Sequence, residues 1–460
     1  MAEPPEEPRD DDGYALDRDL VTEVLDALEA GDIAAIDALM EPLHPADIAD
    51  LLEQIDARDR EALVRAWPGG IDGEVLSELR EGLREEVIEW LPPEVLASAV
   101  QELESDDVVD LVEDLEAEQQ EAVLEALPIP DRIAVEKALS YPEDTAGRLM
   151  QVETVHAPQD WTVGRMIDYL RAEAENLPDQ FYHVILVDPA MKPVGNVTLG
   201  RLLSSRRDVR LADLAEETFV TIPVDQDVAE VAYAFNQYHL ISAPVVDADG
   251  RLIGVITIDD AMAVLDEEAG EDILRLAGVT GDETVSDRVT EIAKDRFVWL
   301  FVNLITAIFA SLVIDQFSDT IEAVVALAVL MPIVASMGGN AGTQSMTVAV
   351  RALATRDLTA QNALRVIRRE LTVGAINGMG FGLIMAGVAA VWFGIPMLPV
   401  VIAVAMVLTL VAAALGGVVI PLLLDRMGID PALASGPFVT TVTDVVGFFA
   451  FLGLAASILL

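Results

Sequence analysis

The chain has 460 residues, of which 79 are acidic and 28 basic, and its formal net charge at pH 7 is −51. This charge argues against nucleic acid as a partner, because phosphate backbones attract basic surfaces, and it disfavours docking on anionic lipid. The chain has no cysteine, which excludes disulfides, zinc–thiolate sites and cysteine nucleophiles.

The charge divides the chain into two parts. Only eight acidic and six basic residues follow Phe297, so the first two thirds carry about −49 of the formal −51. A soluble region of this charge concentrates cations at its surface. The alternative interpretation is that the acidic residues only keep the region soluble. No apolar segment follows Met1, so no cleaved signal peptide is expected.

Residues 1–16 are acidic and proline-rich without an apolar period, and we expect them to be disordered. From 17 to 140, apolar residues recur at three- and four-residue steps in segments that prolines separate. Short amphipathic helices of this kind predict an α-helical, superhelical N-domain. Its leucine, isoleucine and valine side chains are expected to form a core rather than a binding site.

Two units of similar length follow, 141–208 and 209–265, and each combines an amphipathic helix with a strand–turn–strand pattern. Residues 247–250 supply a tight turn in the second unit. Repeats of fixed length usually pack on each other. The layout resembles a tandem CBS pair, an α/β module that binds nucleotides or ions and transmits the change to an attached domain.

Residues 266–296 are predicted to form a connecting helix, and 297–460 a transmembrane domain with five spans. Crossing a bilayer takes roughly 20 apolar residues. The five apolar runs are 297–314, 321–350, 371–393, 398–424 and 436–460. Arginines cluster between the second and third runs, and Arg426 lies between the fourth and fifth. The positive-inside rule therefore places these loops and the N-terminal region in the cytoplasm and the C-terminus outside.

Asp444 is the only ionisable residue within these runs apart from residues near their ends. A carboxylate at that depth costs about 2.5–3.5 kcal/mol and usually marks an ion or substrate path. Gly436, Thr440 and Gly447 recur with it at helical spacing, so we expect all four on one small, polar face. Oxygen ligands suit Mg²⁺ or Ca²⁺, and Mg²⁺ is often held through only one or two carboxylates.

The second run contains GGNAGTQS at 338–345, shortly after Pro332. The glycines are expected to interrupt the helix in mid-membrane. Broken helices coordinate cations through main-chain oxygens, and Asn340, Thr343 and Gln344 would add neutral oxygens. The alternative is a tight helix-packing interface of small residues.

The order of these domains resembles the MgtE family of bacterial magnesium transporters. The segments that carry the resemblance are PEDTAGRLM, GGNAGTQS, RALATRDL and DPALASGPFVTTVTD, and it covers nearly the whole chain beyond about residue 20. It implies a homodimeric, Mg²⁺-selective channel in the bacterial inner membrane, with its pore between subunits and closed by cytosolic Mg²⁺. No enzymatic activity is expected, since the sequence has no nucleophile–base pair or metal-hydrolase spacing.

The resemblance also implies roles for individual residues. It maps the pore ion site onto Asp444, with Gly339, Asn340, Thr343 and Thr440 nearby. It maps a connecting "plug" helix and its cytosolic Mg²⁺ sensor sites onto Asp259, Asp260, Glu268, Glu271 and Asp272. It maps N-domain partners of the sensor onto Asp106 and Asp110.

Nucleotide binding is a further hypothesis. Thr257 precedes Asp260 by three residues, the spacing with which nucleotide-binding CBS domains hold a ribose, so ATP is a candidate ligand. Mg²⁺ sensing requires the same acid, and the two interpretations compete for Asp260.

Two other functions stay open. A membrane-anchored sensor of Mg²⁺ or nucleotide that conducts nothing would explain the CBS pair and the acidic connector, but it gives Asp444 no role. A coupled secondary transporter is disfavoured, because the five runs show neither inverted repeats nor a second intramembrane charge.

Overall fold

The computed structural model describes residues 16, 18–113, 115, 117–174, 177–178, 180–216, 219–279, 283 and 289–460, with the backbone alone at 81, 118 and 291. The predicted acidic tail, 1–16, lies outside the described residues except for Leu16. The chain divides into two compact units, one up to Asp266 and the other from Glu267 onwards.

Short helices build the first part of the first unit, as predicted. They are α1 (Arg18–Ala30), α2 (Ile33–Met40), α3 (Pro45–Gln54), α4 (Ala57–Ala66), α5 (Gly73–Glu78), α6 (Glu81–Trp90), α7 (Pro93–Glu102), α8 (Ser105–Glu113), α9 (Ala117–Ala126) and α10 (Ile129–Ala138). Their apolar stripes meet in one core, in which Ile36 and Val112 are fully buried. Aspartates begin several helices: Asp56 accepts hydrogen bonds at 3.0 Å from the N–H groups of Arg58 and Asp59, which have no partner within the first turn.

Two small α/β repeats complete the first unit. The first contains α11 (Ala146–Leu149), β1 (His156–Pro158), α12 (Val163–Ala172), β2 (His183–Val187), β3 (Pro193–Thr198) and α13 (Leu199–Ser204). The second contains β4 (Ile222–Pro223), α14 (Val228–Tyr238), β5 (Ser242–Val246), β6 (Leu252–Thr257) and the start of α15 (Ile258–Leu276).

The two repeats share one topology. Their sheets have the orders β1-β2-β3 and β4-β5-β6, each with one parallel and one antiparallel pair. His183 lies opposite Thr198 in the first sheet, and Ser242 lies opposite Thr257 in the second. The equal register confirms the predicted tandem α/β pair.

The predicted connecting helix, 266–296, is divided in the structure. α15 ends at Leu276, and Gly278 follows with a φ of 79°, a left-handed conformation that commonly ends helices. The next helix begins at Val289, and between Val279 and Val289 the structure describes Glu283 alone.

The second unit contains long apolar helices. They are α16 (Val289–Asp315), the short α17 (Ser318–Ala323), α18 (Ala326–Ala354), α19 (Ala363–Phe393), α20 (Leu398–Arg426) and α21 (Pro431–Ile458). Five are long and apolar enough to cross a membrane, namely α18 to α21 and the Ile292–Asp315 part of α16. This confirms the predicted five spans. Of these, α20 is the most buried and packs against α18, α19 and α21.

Glycines let α19 and α20 approach closely. A Cβ placed at Gly374, Gly378 or Gly382 would lie 2.8 Å from a backbone atom of α20. Small residues at such contacts are typical of membrane helices, because lipid tails leave little hydrophobic force to drive helices together.

The predicted interruption of the second span is wrong. α18 is one continuous helix that includes Pro332 and the GGNAG segment. A Cβ at Gly338 would lie 2.7 Å from Thr409 Cγ2, and one at Gly342 would lie 2.8 Å from Val439 Cγ1. These two glycines serve close packing, as in the alternative interpretation. An unbroken helix also keeps its backbone groups bonded within lipid.

Candidate ion pathway and metal sites

Asp444 lies midway along α21 and is half-buried in the single chain. Thr440, one turn earlier, is exposed, and no atom lies within 4 Å of a Cβ placed at Gly436. Among the described residues, no hydrogen bond or ion pair reaches the Asp444 carboxylate. A carboxylate at membrane depth is unfavourable unless water or a cation meets it.

The polar face of α21 is narrower than predicted. Gly447 is buried, and a Cβ there would lie 3.2 Å from Thr409 Cγ2. The expectation was therefore wrong for Gly447, which turns into the bundle and allows α20 to approach. The open face of α21 consists of Gly436, Thr440 and Asp444.

A second polar face lies on α18, which packs against α21. Asn340, Thr343 and Gln344 are exposed in the single chain, and no atom lies within 4 Å of a Cβ placed at Gly339. Side-chain amides and hydroxyls on a membrane helix are more favourable against water or protein than against lipid. The structure thus brings the predicted pore residues onto two neighbouring helices.

Charged residues meet where α15 and α21 lie close together, and we call Glu271, Asp272, Arg275 and Asp430 the plug cluster. Arg275 Nη2 lies 2.6 Å from Glu271 Oε2, and its Nη1 lies 3.5 Å from Asp430 Oδ2. Asp430 also caps α21 by accepting a hydrogen bond from the Ala432 N–H at 2.7 Å. Burial raises the pKa of Asp272, the Asp430 carboxylate raises it further, and Arg275 lowers it.

Apolar contacts accompany the plug cluster. Leu276, the last residue of α15, packs with Met346 and Val350 of α18 and with Ala432 and Val439 of α21. The end of α15 therefore lies against both helices that carry the polar faces. The sequence had singled out Glu271, Asp272 and Glu268, which is half-buried on the same helix; it had missed Arg275 and Asp430.

A second group of acids lies where α8 meets the start of α15, and we call Glu104, Asp106, Asp107, Asp259 and Asp260 the interface cluster. Burial raises the pKa of Asp260 to about 7, although a hydrogen bond from Thr257 opposes this shift. Burial also raises the pKa of Asp107 to about 6, with Glu104 adding to it. The pKa of Asp106 is raised well above its usual value by burial and by the Asp260 carboxylate.

Hydrogen bonds hold α8 against the segment that precedes β1, beside the interface cluster. Ser105 Oγ donates to Glu153 Oε2 at 2.7 Å, and the Val152 N–H donates to Ser105 Oγ at 2.9 Å. Gln151 Nε2 donates to Glu104. These bonds keep acidic side chains close together. A bound cation would relieve the repulsion between their carboxylates.

Asp110, the other predicted N-domain residue, forms an ion pair with Arg84 at 2.5 Å, although it still raises the pKa of Asp107. In the part of the chain that the structure describes, no three histidine, aspartate or glutamate side chains converge to hold a metal ion. The two clusters are therefore acidic surfaces rather than ready-made ligand sets.

The two residues predicted to bind a ribose, Thr257 and Asp260, are hydrogen-bonded to each other. Thr257 Oγ1 donates to Asp260 Oδ2 at 2.7 Å. The cavity beside Thr257 has a volume of about 20 Å³, far below the roughly 300 Å³ at which ligand pockets begin.

Glu370 is a carboxylate of the membrane domain that the sequence did not single out. Its side chain is 13% exposed and lies 3.2 Å from Arg369 Nη2. It accepts a hydrogen bond from the buried Ser345 Oγ at 3.0 Å, and so links α19 to α18. The hydropathy pattern missed it because it lies one residue before the predicted third span.

Comparison with known proteins supports the same architecture. Residues 331–454 match the family model of MgtE, described as a divalent cation transporter. Residues 43–144 match the MgtE intracellular N domain, and 211–267 match the CBS domain. The magnesium transporter MgtE of Thermus thermophilus is 33% identical over 461 residues, which cover 96% of this chain and 99% of that protein. The chain belongs to the MgtE family of magnesium transporters.

Two further MgtE proteins are similar to the chain. The Enterococcus faecalis protein is 34% identical over 314 residues, which are 68% of this chain and 69% of that protein. The Bacillus subtilis protein is 28% identical over 439 residues, 95% of this chain and 97% of that protein. A solved structure, the cytosolic domain of the Mg²⁺ channel MgtE in complex with ATP, is 30% identical, covers 53% of this chain and 99% of that chain, and has a TM-score of 0.49.

Membership of the MgtE family confirms the resemblance seen in the sequence. It makes the chain a membrane transporter of Mg²⁺, with its N-domain and CBS domains on the cytosolic side.

Proposed function

We propose that this MgtE chain forms a Mg²⁺-selective channel whose ion site is built around Asp444. Thr440 on the same helix and Gly339, Asn340 and Thr343 on α18 complete the site. The observation that supports this most directly is the Asp444 carboxylate itself, which lies midway along a membrane helix and has no partner among the described residues. One carboxylate with neutral oxygens suits a Mg²⁺ ion that keeps most of its water.

The channel is formed by two copies of the chain. The polar faces of α18 and α21 are exposed in the single chain, an arrangement that lipid disfavours. A second subunit would cover both faces, place the pathway between subunits and direct two Asp444 carboxylates towards one ion. In the bacterial inner membrane, the helix ends that carry Arg351, Arg365 and Arg426 face the cytoplasm and the C-terminus lies outside.

Cytosolic Mg²⁺ closes this channel through the interface and plug clusters and through Glu268 beside the plug cluster. At low Mg²⁺, repulsion between the carboxylates disfavours the closed form of the channel, and bound Mg²⁺ removes this repulsion. A ligand shifts an equilibrium only through its differential affinity for the two states, so Mg²⁺ must bind the closed form more tightly.

Asp260 is assigned to Mg²⁺ sensing rather than to a ribose. Its carboxylate accepts a hydrogen bond from the Thr257 hydroxyl and lies in the interface cluster. The cavity beside Thr257 is too small for a nucleotide. ATP, which the solved relative holds according to its description, is therefore not proposed at Thr257.

Mg²⁺ flux through the purified protein in liposomes tests the function. Asp444→Asn keeps the size of the side chain but removes its charge, so uptake should fall at least about ten-fold, while the melting temperature stays unchanged. Asp425→Asn, an exposed position at the end of α20, is the matched control and should transport normally.

Each rival function has its own outcome in the same experiment. No flux through well-folded wild-type protein would favour a sensor that conducts nothing. Flux that requires a gradient of a second ion would favour a coupled transporter. Normal uptake by Asp444→Asn would remove Asp444 from the ion site.

A further inference from the structure

A cavity of about 570 Å³ lies on the N-domain, where the ends of α2 and α4 meet the start of α3. Its volume is within the roughly 300–1,000 Å³ that ligand pockets occupy. Met40, Leu43 and Ile48 form an apolar wall. No residue of the interface cluster or of the plug cluster lines it. The cavity is therefore separate from both acidic clusters described above.

Trp67 gives the cavity a rigid wall and fixes a carboxylate at its edge. The residue is 8% exposed, and a Cβ at Gly70 would overlap its ring, so the indole packs directly on the Gly70 backbone. Trp67 Nε1 donates a hydrogen bond to Asp37 Oδ1 at 2.8 Å, which links the end of α4 to α2. In the described part of the chain, no donor reaches the other carboxylate oxygen, Asp37 Oδ2. One oxygen of a fixed carboxylate is thus left for a ligand.

The charges at the cavity favour a cation. Glu41, which also lines it, lies four residues after Asp37, so the two carboxylates are neighbours one helical turn apart. Met40 and Ala66 line the cavity as the last residues of α2 and α4, so the negative ends of two helices meet there. Asp72, a third acid of the wall, already caps α5. No lysine or arginine is among the described lining residues.

An organic cation matches this lining better than a metal ion does. Among the described residues, no three acidic side chains converge to hold a metal ion, and an apolar wall offers a hydrated metal nothing to bind. Helical residues four apart have Cβ atoms about 5–6 Å apart, a distance that about three or four methylene groups span. A chain of ammonium groups separated by methylene groups can therefore meet both carboxylates and cover the apolar wall.

We propose that this cavity binds a linear polyamine, with one ammonium group on Asp37 Oδ2 and a second on Glu41. The methylene groups between them cover Met40, Leu43 and Ile48. The negative ends of α2 and α4 add to the attraction for both ammonium groups.

The inference concerns the N-domain alone and goes beyond Mg²⁺ conduction. Polyamine binding is measured without any flux through the membrane. A failure of this proposal would therefore leave the proposed pore untouched, and a failure of the pore would leave the cavity untouched.

Calorimetric titration of the full-length protein in nanodiscs of zwitterionic lipid tests the proposal, with spermidine and butylamine as the probes. Constant millimolar Mg²⁺ and about 0.15 M salt screen charges beyond about 8 Å. Spermidine should bind at least about ten-fold more tightly than butylamine, a difference of about 1.4 kcal/mol, because only spermidine reaches both carboxylates.

Asp37→Asn keeps an acceptor for the Trp67 indole but removes the charge. It should weaken spermidine binding about ten-fold, the loss expected for one hydrogen bond to a charged group. Asp50→Asn, at an exposed aspartate of α3 outside the cavity wall, removes the same charge from the same domain. It is the matched control and should leave spermidine binding unchanged.

Ala66→Phe is a second variant, which fills the cavity without altering any charge. Ala66 is half-buried at the cavity wall, so the larger side chain should largely abolish spermidine binding by taking the space of the methylene groups.

Equal weakening by Asp37→Asn and Asp50→Asn would overturn the proposal, because it would show attraction to the net charge alone. Butylamine binding as tight as spermidine binding would also overturn it, in favour of a site for a single cationic side chain. So would the absence of spermidine binding by a well-folded wild-type protein, or unchanged spermidine binding in both Asp37→Asn and Ala66→Phe.

Discussion

The Arg275 guanidinium lies 3.5 Å from the Asp430 carboxylate and 2.6 Å from Glu271, so a cation carried by α15 lies between two acids of the plug cluster. Asp430 caps the helix that carries Asp444. Arg275 thus partly neutralises the cluster before any Mg²⁺ binds. The positive charge of Arg275 should therefore affect how the proposed channel responds to Mg²⁺.

Replacing Arg275 with glutamine should make the channel open more often at very low Mg²⁺, because Glu271 and Asp430 are then left uncompensated. The pair is partly exposed, so its loss is worth up to about 1 kcal/mol, or a two- to five-fold change in the ratio of open to closed channels. Closure at millimolar Mg²⁺ should remain. Single-channel recording measures the open probability at very low and at millimolar Mg²⁺. Arg365→Gln, at an exposed position of α19, is the control, and an identical response of the two variants would contradict the prediction.

Neutralising Glu268, Glu271 and Asp272 together should leave a channel that stays open at millimolar Mg²⁺, because Mg²⁺ loses the carboxylates of α15 that we propose bind it. Relief of repulsion would act in the opposite direction, and we expect the loss of binding to dominate. Open probability against cytosolic Mg²⁺ is the measurement, and neutralising Asp315, Asp319 and Glu322 is the control. A triple variant that closes at the wild-type concentration would place the sensor elsewhere.

Without Mg²⁺, the stability of the folded protein should fall as the pH rises through about 6 and 7. These are the pKa values of Asp107 and Asp260, both raised from 3.8. A carboxyl with a raised pKa binds its proton more tightly in the folded state, so protonation stabilises that state and deprotonation removes the stabilisation. Mg²⁺ should raise the melting temperature more at about pH 8 than at about pH 5, since it competes with protons.

Melting curves of the full-length protein between these two pH values test whether stability falls as the pH rises. Asp260→Asn removes one of the titrating groups and should flatten the pH dependence. A melting temperature that rises with pH in the absence of Mg²⁺ would contradict the prediction.

Glu370→Ala should reduce both stability and Mg²⁺ selectivity, because the buried Ser345 hydroxyl loses its acceptor and α18 loses its link to α19. An unpaired buried group costs about 1–3 kcal/mol. Glu370→Gln keeps an acceptor and should retain most of the selectivity. Ser345→Ala combined with Glu370→Ala should cost less than the sum of the single changes. Flux of Mg²⁺ against Co²⁺ is the measurement, and additive effects would show that the two side chains act separately.

Gly378→Ala should destabilise the membrane domain by about 1–3 kcal/mol, the usual cost of overpacking. The new Cβ would lie 2.8 Å from Val407 Cα, so α19 and α20 would have to separate. Gly380→Ala is a matched control on the same helix, since no atom lies within 4 Å of that position. Thermal unfolding in detergent compares the two variants, and equal melting temperatures would show that the helices already tolerate a wider spacing.

The architecture was predictable because helix periodicity, repeat length and long apolar runs are local properties of a sequence. Two members of the plug cluster, Arg275 and Asp430, were not. Asp430 follows an apolar run as an ordinary helix cap, and only the folded structure places it beside Arg275. Glu370 escaped for a related reason, since it lies just outside a span yet folds back onto Ser345.

The sequence wrongly predicted a break at the glycine-rich segment of α18, because the flexibility of glycine was considered without the helices that pack against it. Gly338 and Gly342 lie where Thr409 and Val439 approach α18, so they fill a packing requirement that depends on other helices.

α20 is enclosed by α18, α19 and α21, whereas the polar residues of α18 and α21 lie on the outer surface of the bundle. The pathway that we propose on that surface is shared by a pair of chains. If the pair forms as proposed, a cell that makes wild-type and Asp444→Asn chains together would also assemble mixed pairs, each with a single carboxylate beside the ion. The defective allele would then act dominantly, by disabling the product of the intact one.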